Sequence, residues 1–243
     1  MRIYLFIFIV LLTFVSCKRP NRNPSNNSSN EKIPSLRENR RTVDPIENKE
    51  KSDNTANSKS SKSISELFQS LQSEVFMIFT KRGEEKYSQG SGFFIAPGIG
   101  VTNYHVLEDS EKAVIAINGK TYHIIRILES SNTQNLDYVI FKTSYRTDTP
   151  LKISRKKPRV GENIFTIGSP KGLSNSLSKG AISGLRENER IQIDATIDHG
   201  SSGGPLFNKN GKVIGITTSG LKSGAELNFA VDIQALPYEK YVD

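Results

Sequence analysis

The 243-residue chain has a single cysteine, Cys17, no tryptophan and two methionines. One cysteine excludes a disulfide framework within the chain. Long apolar runs are also scarce. Ile3 to Val15 spans about 13 residues, and a stable bilayer span needs about 20. Arg2 precedes this run and Ser16-Cys17 follow it, so 1–16 reads as an export signal rather than a spanning helix. Aromatics are missing from Lys18 to Ser65, where Asn, Ser, Lys, Glu and Pro dominate. Such a segment cannot bury enough apolar surface to offset its ordering entropy, so 17–63 is expected to be a disordered tether. A basic excess is lacking in the folded part. The chain carries +8, but Lys18 to Ser65 holds 11 Lys/Arg against 6 Asp/Glu and Arg2 adds one more, leaving +2 for residues 66–243. Nucleic acid is therefore not an implied partner, whereas a basic tether suits an anionic membrane surface.

The remaining region, 64–243, has the periodicity of a folded domain. Ile64, Leu67, Phe68 and Leu71 recur at helical spacing, with Ser63 or Ser65 as a cap. Short β-branched or aromatic segments follow, separated by turn residues. Strands are expected near 75–80, 90–95, Val101, 113–117, 121–127 and 137–142. A second group is expected near 163–167, 176–185, 191–194, 205–207, 212–219 and 228–231. Two antiparallel barrels, about 75–143 and about 160–232, accommodate them, and RKKPR (155–159) lies in the solvated connection.

The stretch IDHGSSGGPLFN frames Ser201 and Ser202 with glycines. A nucleophilic serine needs a base, and the base needs a group to orient it. The chain offers three histidines: His105, His123 and His199. His123 lies on an alternating strand and reads as a surface or packing residue. His199, three residues before Ser202, suits the mouth of a site better than the base. His105, in GVTNYHVLEDS, is the better base. Asp137, opening the apolar strand of NLDYVIFK, is the better orienter, with Glu108 and Asp109 as weaker choices.

The blocks GSGFFIAPGIGVTNYHVL, NLDYVIFK and ATIDHGSSGGPLFNKNGKVIGITTSG resemble the His, Asp and Ser blocks of trypsin-like serine proteases. GENIFTIGSPKGLSNSLSKGAISGL and LNFAVDI are similar to segments of the HtrA/Deg branch. The resemblance implies an all-β fold, a chymotrypsin-like double six-stranded antiparallel barrel with a short N-terminal helix and a disordered N-terminal tether. It implies Ser202 as nucleophile, His105 as base and Asp137 as orienter. The N–H groups of Gly200, Ser202 and Ser201 would form the oxyanion hole. Ser201 stands where trypsin has the aspartate that pairs with a freed N-terminus, so that activation switch is absent. The substrate pocket would be lined by Thr196 at its floor, His199 at its rim, Thr217 on its wall and Asn228 narrowing it. Thr218, Ser219 and Gly220 would pair with substrate backbone. No carboxylate lies at the floor, so small neutral side chains are expected in the pocket. No cofactor and no metal is implied. About 12 residues follow NFAV, too few for a PDZ domain, so capture of a C-terminal peptide within this chain is not expected.

Val15, Ser16 and Cys17 resemble the lipobox of bacterial lipoproteins, with lipidation at Cys17. The expected protein is an exported, lipid-anchored serine endopeptidase of the cell envelope, periplasmic or surface-facing, acting on unfolded or extended polypeptides. A homo-oligomer is compatible with the sequence but not specified by it. The alternative reading is a catalytically silent surface lipoprotein that uses the fold for binding or adhesion.

Overall fold

The computed structural model describes residues 62–84, 86–169, 175–218 and 227–242. The expected signal segment, Cys17 and nearly all of the expected tether lie outside the described residues, as do Ser219 and Gly220.

The described chain opens with helix α1, Ile64–Leu71. Ser63 caps it: its hydroxyl accepts from Glu66 N–H at 3.2 Å, and the Glu66 carboxylate accepts from Ser63 N–H at 2.7 Å. This reciprocal box satisfies donors that a helix start leaves open. Leu67 is buried, and Ile64, Phe68 and Leu71 pack beside it.

Twelve strands follow in two closed antiparallel barrels. Barrel 1 comprises β1 (Val75–Arg82), β2 (Lys86–Ala96), β3 (Ile99–Thr102), β4 (Lys112–Ile117), β5 (Lys120–Ser131) and β6 (Tyr138–Thr143). Its strand order is β1-β2-β3-β6-β5-β4. Barrel 2 comprises β7 (Asn163–Gly168), β8 (Ser176–Arg186), β9 (Arg190–Ile193), β10 (Pro205–Asn208), β11 (Val213–Thr218) and β12 (Asn228–Asp232). Its order is β10-β11-β12-β9-β8-β7. Closure removes the exposed strand edges that invite aggregation. The expected double six-stranded barrel is the observed fold.

The strands are apolar on alternate residues for two separate purposes. Phe76, Ile78, Phe94, Ile115, Val139 and Phe141 fill barrel 1. Ile164, Ile182, Ile191, Ile193, Leu206 and Ile214 fill barrel 2. On β2, β6, β7 and β10, sequence neighbours of these residues face the seam. Phe93, Ile140, Phe165, Ile167, Phe207 and Ile216 form one shared cluster there. A strand serving both cores reads as a continuous apolar run, as in YVIF of β6. The ends of β3, β6, β10 and β11 meet at this seam, and the loops that leave them carry the candidate site.

Candidate active site

The first half of the site comes from barrel 1. After β3, Asn103 stands at the N-cap position, without a side-chain capping bond, of a single helical turn, α2 (Tyr104–Leu107), which carries His105. The Asn103 amide donates to the Asp137 carbonyl at 2.8 Å and ties this turn to the start of β6. Asp137 adopts φ +47°, a left-handed conformation uncommon outside glycine. That bend brings its carboxylate to His105 at two points. Oδ1 accepts from the His105 main-chain N–H at 3.0 Å, and Oδ2 lies 2.8 Å from Nδ1. An ionised carboxylate only accepts, so Nδ1 must carry the proton and Nε2 keeps its lone pair. The Thr218 hydroxyl, at the end of β11, donates to the same Oδ2 at 3.3 Å. Asp137 is 7% exposed, so its carboxylate is shielded from bulk water, while the His105 side chain is 30% exposed. On the far side of the histidine, the Arg82 guanidinium donates to the His105 carbonyl at 2.7 Å.

The second half comes from barrel 2. Ser201 N–H donates to the Asp198 carbonyl at 2.9 Å, closing a turn in which Gly200 has φ +96° and His199 does not have positive φ. This is a type II turn, whose third position requires positive φ and so suits glycine. From Gly200 to Gly204 the N–H groups then sort cleanly. Ser201, Gly203 and Gly204 donate to the carbonyls of Asp198, Thr217 and Ser201. Those of Gly200 and Ser202 have no acceptor among the described residues. The Ser201 amide, expected as a third donor to a bound oxyanion, is spent inside the turn.

The two halves meet at Gly90. A side chain there would collide with Val106, the residue after His105, and crowd the Ser202 carbonyl. Ser202 is 6% exposed, and among the described residues its hydroxyl makes no hydrogen bond to His105 or to any other group. Beside the His105–Asp137 pair lies a cavity of about 210 Å³, lined also by Leu136, Asn188, Arg190, Thr218 and Phe229.

The pocket residues fare unevenly. Asn228 reaches across to donate to the Ala195 carbonyl at 3.0 Å, so its amide occupies space that a smaller residue would leave open. Thr196 and His199 are exposed. Thr217 is not a wall residue: it is 0% exposed, and its hydroxyl bonds the Ser201 and Gly204 carbonyls at 3.0 and 3.1 Å. It braces the Gly200–Gly204 turn. Sequence reasoning missed this role, and missed Arg82 altogether. A polar residue on a strand carries no visible mark of which backbone group it will meet.

A family model described as a trypsin-like peptidase domain matches residues 90–216. Rat "Serine protease HTR4" is 35% identical over 158 residues, covering 59% of this chain and 32% of that protein. "Probable periplasmic serine endoprotease DegP-like" from Pseudomonas putida is 31% identical over 170 residues, covering 63% of this chain and 35% of that protein. The chain thus spans about a third of the length of these relatives. Among solved structures, the serine endoprotease from Yersinia pestis aligns with TM-score 0.62 and 27% identity, covering 70% of this chain and 62% of that one. The active form of the Rv3671c protease from M. tuberculosis aligns with TM-score 0.62 and 21% identity, covering 69% of this chain and 79% of that one, a likeness of fold. With more than half of its 243 residues inside the family match, and with HtrA-type serine proteases among its relatives, this chain belongs to the trypsin-like peptidase family.

Proposed function

We propose that this protein is an exported serine endopeptidase of HtrA/Deg type, lipid-anchored through Cys17, that cleaves unfolded or extended polypeptides of the cell envelope. The observation that carries the catalytic part is the division of hydrogen bonds in the site. His105 Nδ1 is committed to Asp137, leaving Nε2 as base, and Gly200 and Ser202 are the residues of the nucleophile turn whose N–H groups have no acceptor among the described residues.

The chemistry follows from that division. His105 Nε2 takes the Ser202 hydroxyl proton as Oγ bonds the scissile carbonyl carbon, and the carbonyl electrons move onto oxygen. The oxyanion is held by the N–H groups of Gly200 and Ser202, each worth on the order of 3–4 kcal/mol of barrier. Asp137 stabilises the imidazolium. The tetrahedral intermediate collapses, the C–N bond breaks, and the leaving amine takes the proton from Nε2. Water then attacks the acyl ester by the same path, with His105 again as base, and releases the acid and Ser202. The substrate backbone pairs along the strand that ends at Thr218, and a small neutral side chain fits beside Asn228.

The anchor rests on the run Ile3–Val15 followed by Ser16-Cys17. The name of the Pseudomonas putida relative, a probable periplasmic endoprotease, supports the exported location. Casein degradation by the full chain, set against Ser202→Ala, tests the activity. Degradation by the first and none by the second is expected, and equal rates would overturn the proposal. One observation favours the silent binding module instead: the Ser202 hydroxyl has no partner among the described residues. Labelling of Ser202 by a fluorophosphonate, with none in His105→Ala, separates the two readings. Metabolic labelling with a radioactive fatty acid, lost in Cys17→Ala, tests the anchor.

A further inference from the structure

Ser91 lies on β2 of barrel 1, yet its polar atoms serve the nucleophile turn of barrel 2. It is 0% exposed. Its N–H donates to the Ser202 carbonyl at 2.8 Å. Its hydroxyl donates to the Gly200 carbonyl at 2.7 Å and accepts from Ser169 N–H at 3.0 Å. Its own carbonyl accepts from the buried Thr102 hydroxyl at 2.7 Å. The carbonyls that Ser91 holds belong to Gly200 and Ser202, the residues whose N–H groups lack an acceptor among the described residues.

A peptide unit is planar, so holding the Gly200 carbonyl holds the whole Gly200–Ser201 unit. Gly200 needs that restraint because glycine moves between φ wells at little steric cost. The turn's own Ser201 to Asp198 bond holds that unit by its N–H, while the Gly200 N–H itself sits in the preceding His199–Gly200 unit, placed by the torsions about Gly200. The Ser91 hydroxyl holds the same unit by its carbonyl, from a neighbouring barrel, so the plane is fixed at both ends and gives the Gly200 torsions that aim its N–H a fixed reference. It also joins Ser169, which follows β7, to the same point, so one oxygen registers two loops of barrel 2 on barrel 1.

We propose that Ser91 is a positioning residue of the oxyanion hole, whose hydroxyl keeps the Gly200 N–H aimed at the reacting carbonyl oxygen. This rests on the endopeptidase reading above. An aimed donor matters most when charge develops, so its loss weakens the transition state and leaves substrate binding nearly unchanged.

The test uses the full chain with Ser91→Ala, Ser91→Cys and a control, Ser154→Ala, another buried serine that lies in the connection between the barrels. Each is measured for kcat and KM on an extended peptide. Each is also measured for the inhibition constant of a peptide boronic acid, whose adduct mimics the tetrahedral anion, and of the matching peptide amide. Ser91→Ala should lower kcat about ten- to a hundredfold, less than the 10²–10³ lost when a donor is deleted outright. KM and the amide constant should stay within about twofold, while the boronic acid weakens in step with kcat. Ser91→Cys, which keeps a weaker donor, should fall between. Ser154→Ala should resemble the parent at temperatures below its melting point. A parent-like kcat and boronic acid affinity in Ser91→Ala would overturn the proposal, as would a loss shared equally by KM and the amide. Should Ser91→Ala not fold, Ser91→Cys decides: a loss confined to kcat and the boronic acid supports the proposal, and a parent-like kcat refutes it. A parent chain no more active than Ser202→Ala would instead defeat the endopeptidase reading itself.

Discussion

Asp137 holds His105 by ring and by main chain, from a left-handed backbone that Asp and Asn tolerate better than most residues. Asp137→Asn therefore keeps shape and backbone but loses the pure acceptor. An amide NH₂ facing Nδ1 favours the tautomer with its proton on Nε2, which cannot serve as base. A fall in kcat on the order of 10⁴ is expected with little change in melting temperature. Steady-state kinetics and a thermal melt check it, and a loss below about tenfold would show that the ring does not need this carboxylate. Asp232 makes a contrasting case. Burial pushes its carboxyl above the ordinary 3.8, opposed by the bond it accepts from Gln234 N–H. A carboxyl raised in the fold stabilises most when protonated, below its unfolded value. That contribution is lost as pH rises through the folded value. Asp232→Asn keeps an acceptor for Gln234 and has no charge to bury. The melting temperature of the variant, relative to the parent, should therefore rise between about pH 3 and pH 7. A gap that stays constant over that range would count against burial as the dominant cause.

At the scale of elements, α1 shows a local signal agreeing with its tertiary use. Ser63 followed by Glu66 is a capping box in sequence and in structure. Ser63→Ala should cost about 1 kcal/mol and about 2–4 °C in a domain of this size. A calorimetric scan checks it, and an unchanged midpoint would show that packing of Leu67 alone holds the helix. The barrels were legible for a similar reason: short apolar segments between turn residues recur in two groups of about six. Their boundaries were less so. β2 begins at Lys86 because it continues a hairpin opposite Arg82, where Tyr87-Ser88-Gln89 gives no apolar alternation. β5 runs on to Ser131, past two register shifts, through Glu129-Ser130-Ser131, which lie beyond the strand expected near 121–127. The turn α2 is four residues long, too short for any period to show. The blocks around His105, Asp137 and Ser202 could be read because their chemistry is rare and their order informative. Ser91, Thr102 and Thr217 could not, because they act through hydroxyls on main-chain groups 11 to 109 residues away, and the strand pairing and the seam decide which groups those are.

At the scale of the whole molecule, the candidate site belongs to neither barrel. His105 and Asp137 come from barrel 1, Ser202 and Thr218 from barrel 2, and their relative placement depends on the seam. β7 allows this to be tested with two adjacent residues. Ile164 points into barrel 2 and Phe165 into the seam, where its ring stacks on Phe207 at 4.9 Å and 18°. Both are essentially unexposed, at 2% and 0%. Ile164→Ala should cost about 2–5 kcal/mol and Phe165→Ala about 3–5 kcal/mol. Stability alone would rank them nearly together. Catalysis should not, because a void inside barrel 2 is confined by a closed hydrogen-bonded wall, whereas a void in the seam lets one barrel shift against the other. Well below both melting points, Phe165→Ala should lose at least about tenfold more kcat/KM than Ile164→Ala, as misplacements of about 1 Å can cost 10² in rate. Kinetics at low temperature, with melts to confirm that both variants are folded, provide the comparison. Equal activity in the two would mean that loops alone hold the site together and that the seam serves only stability.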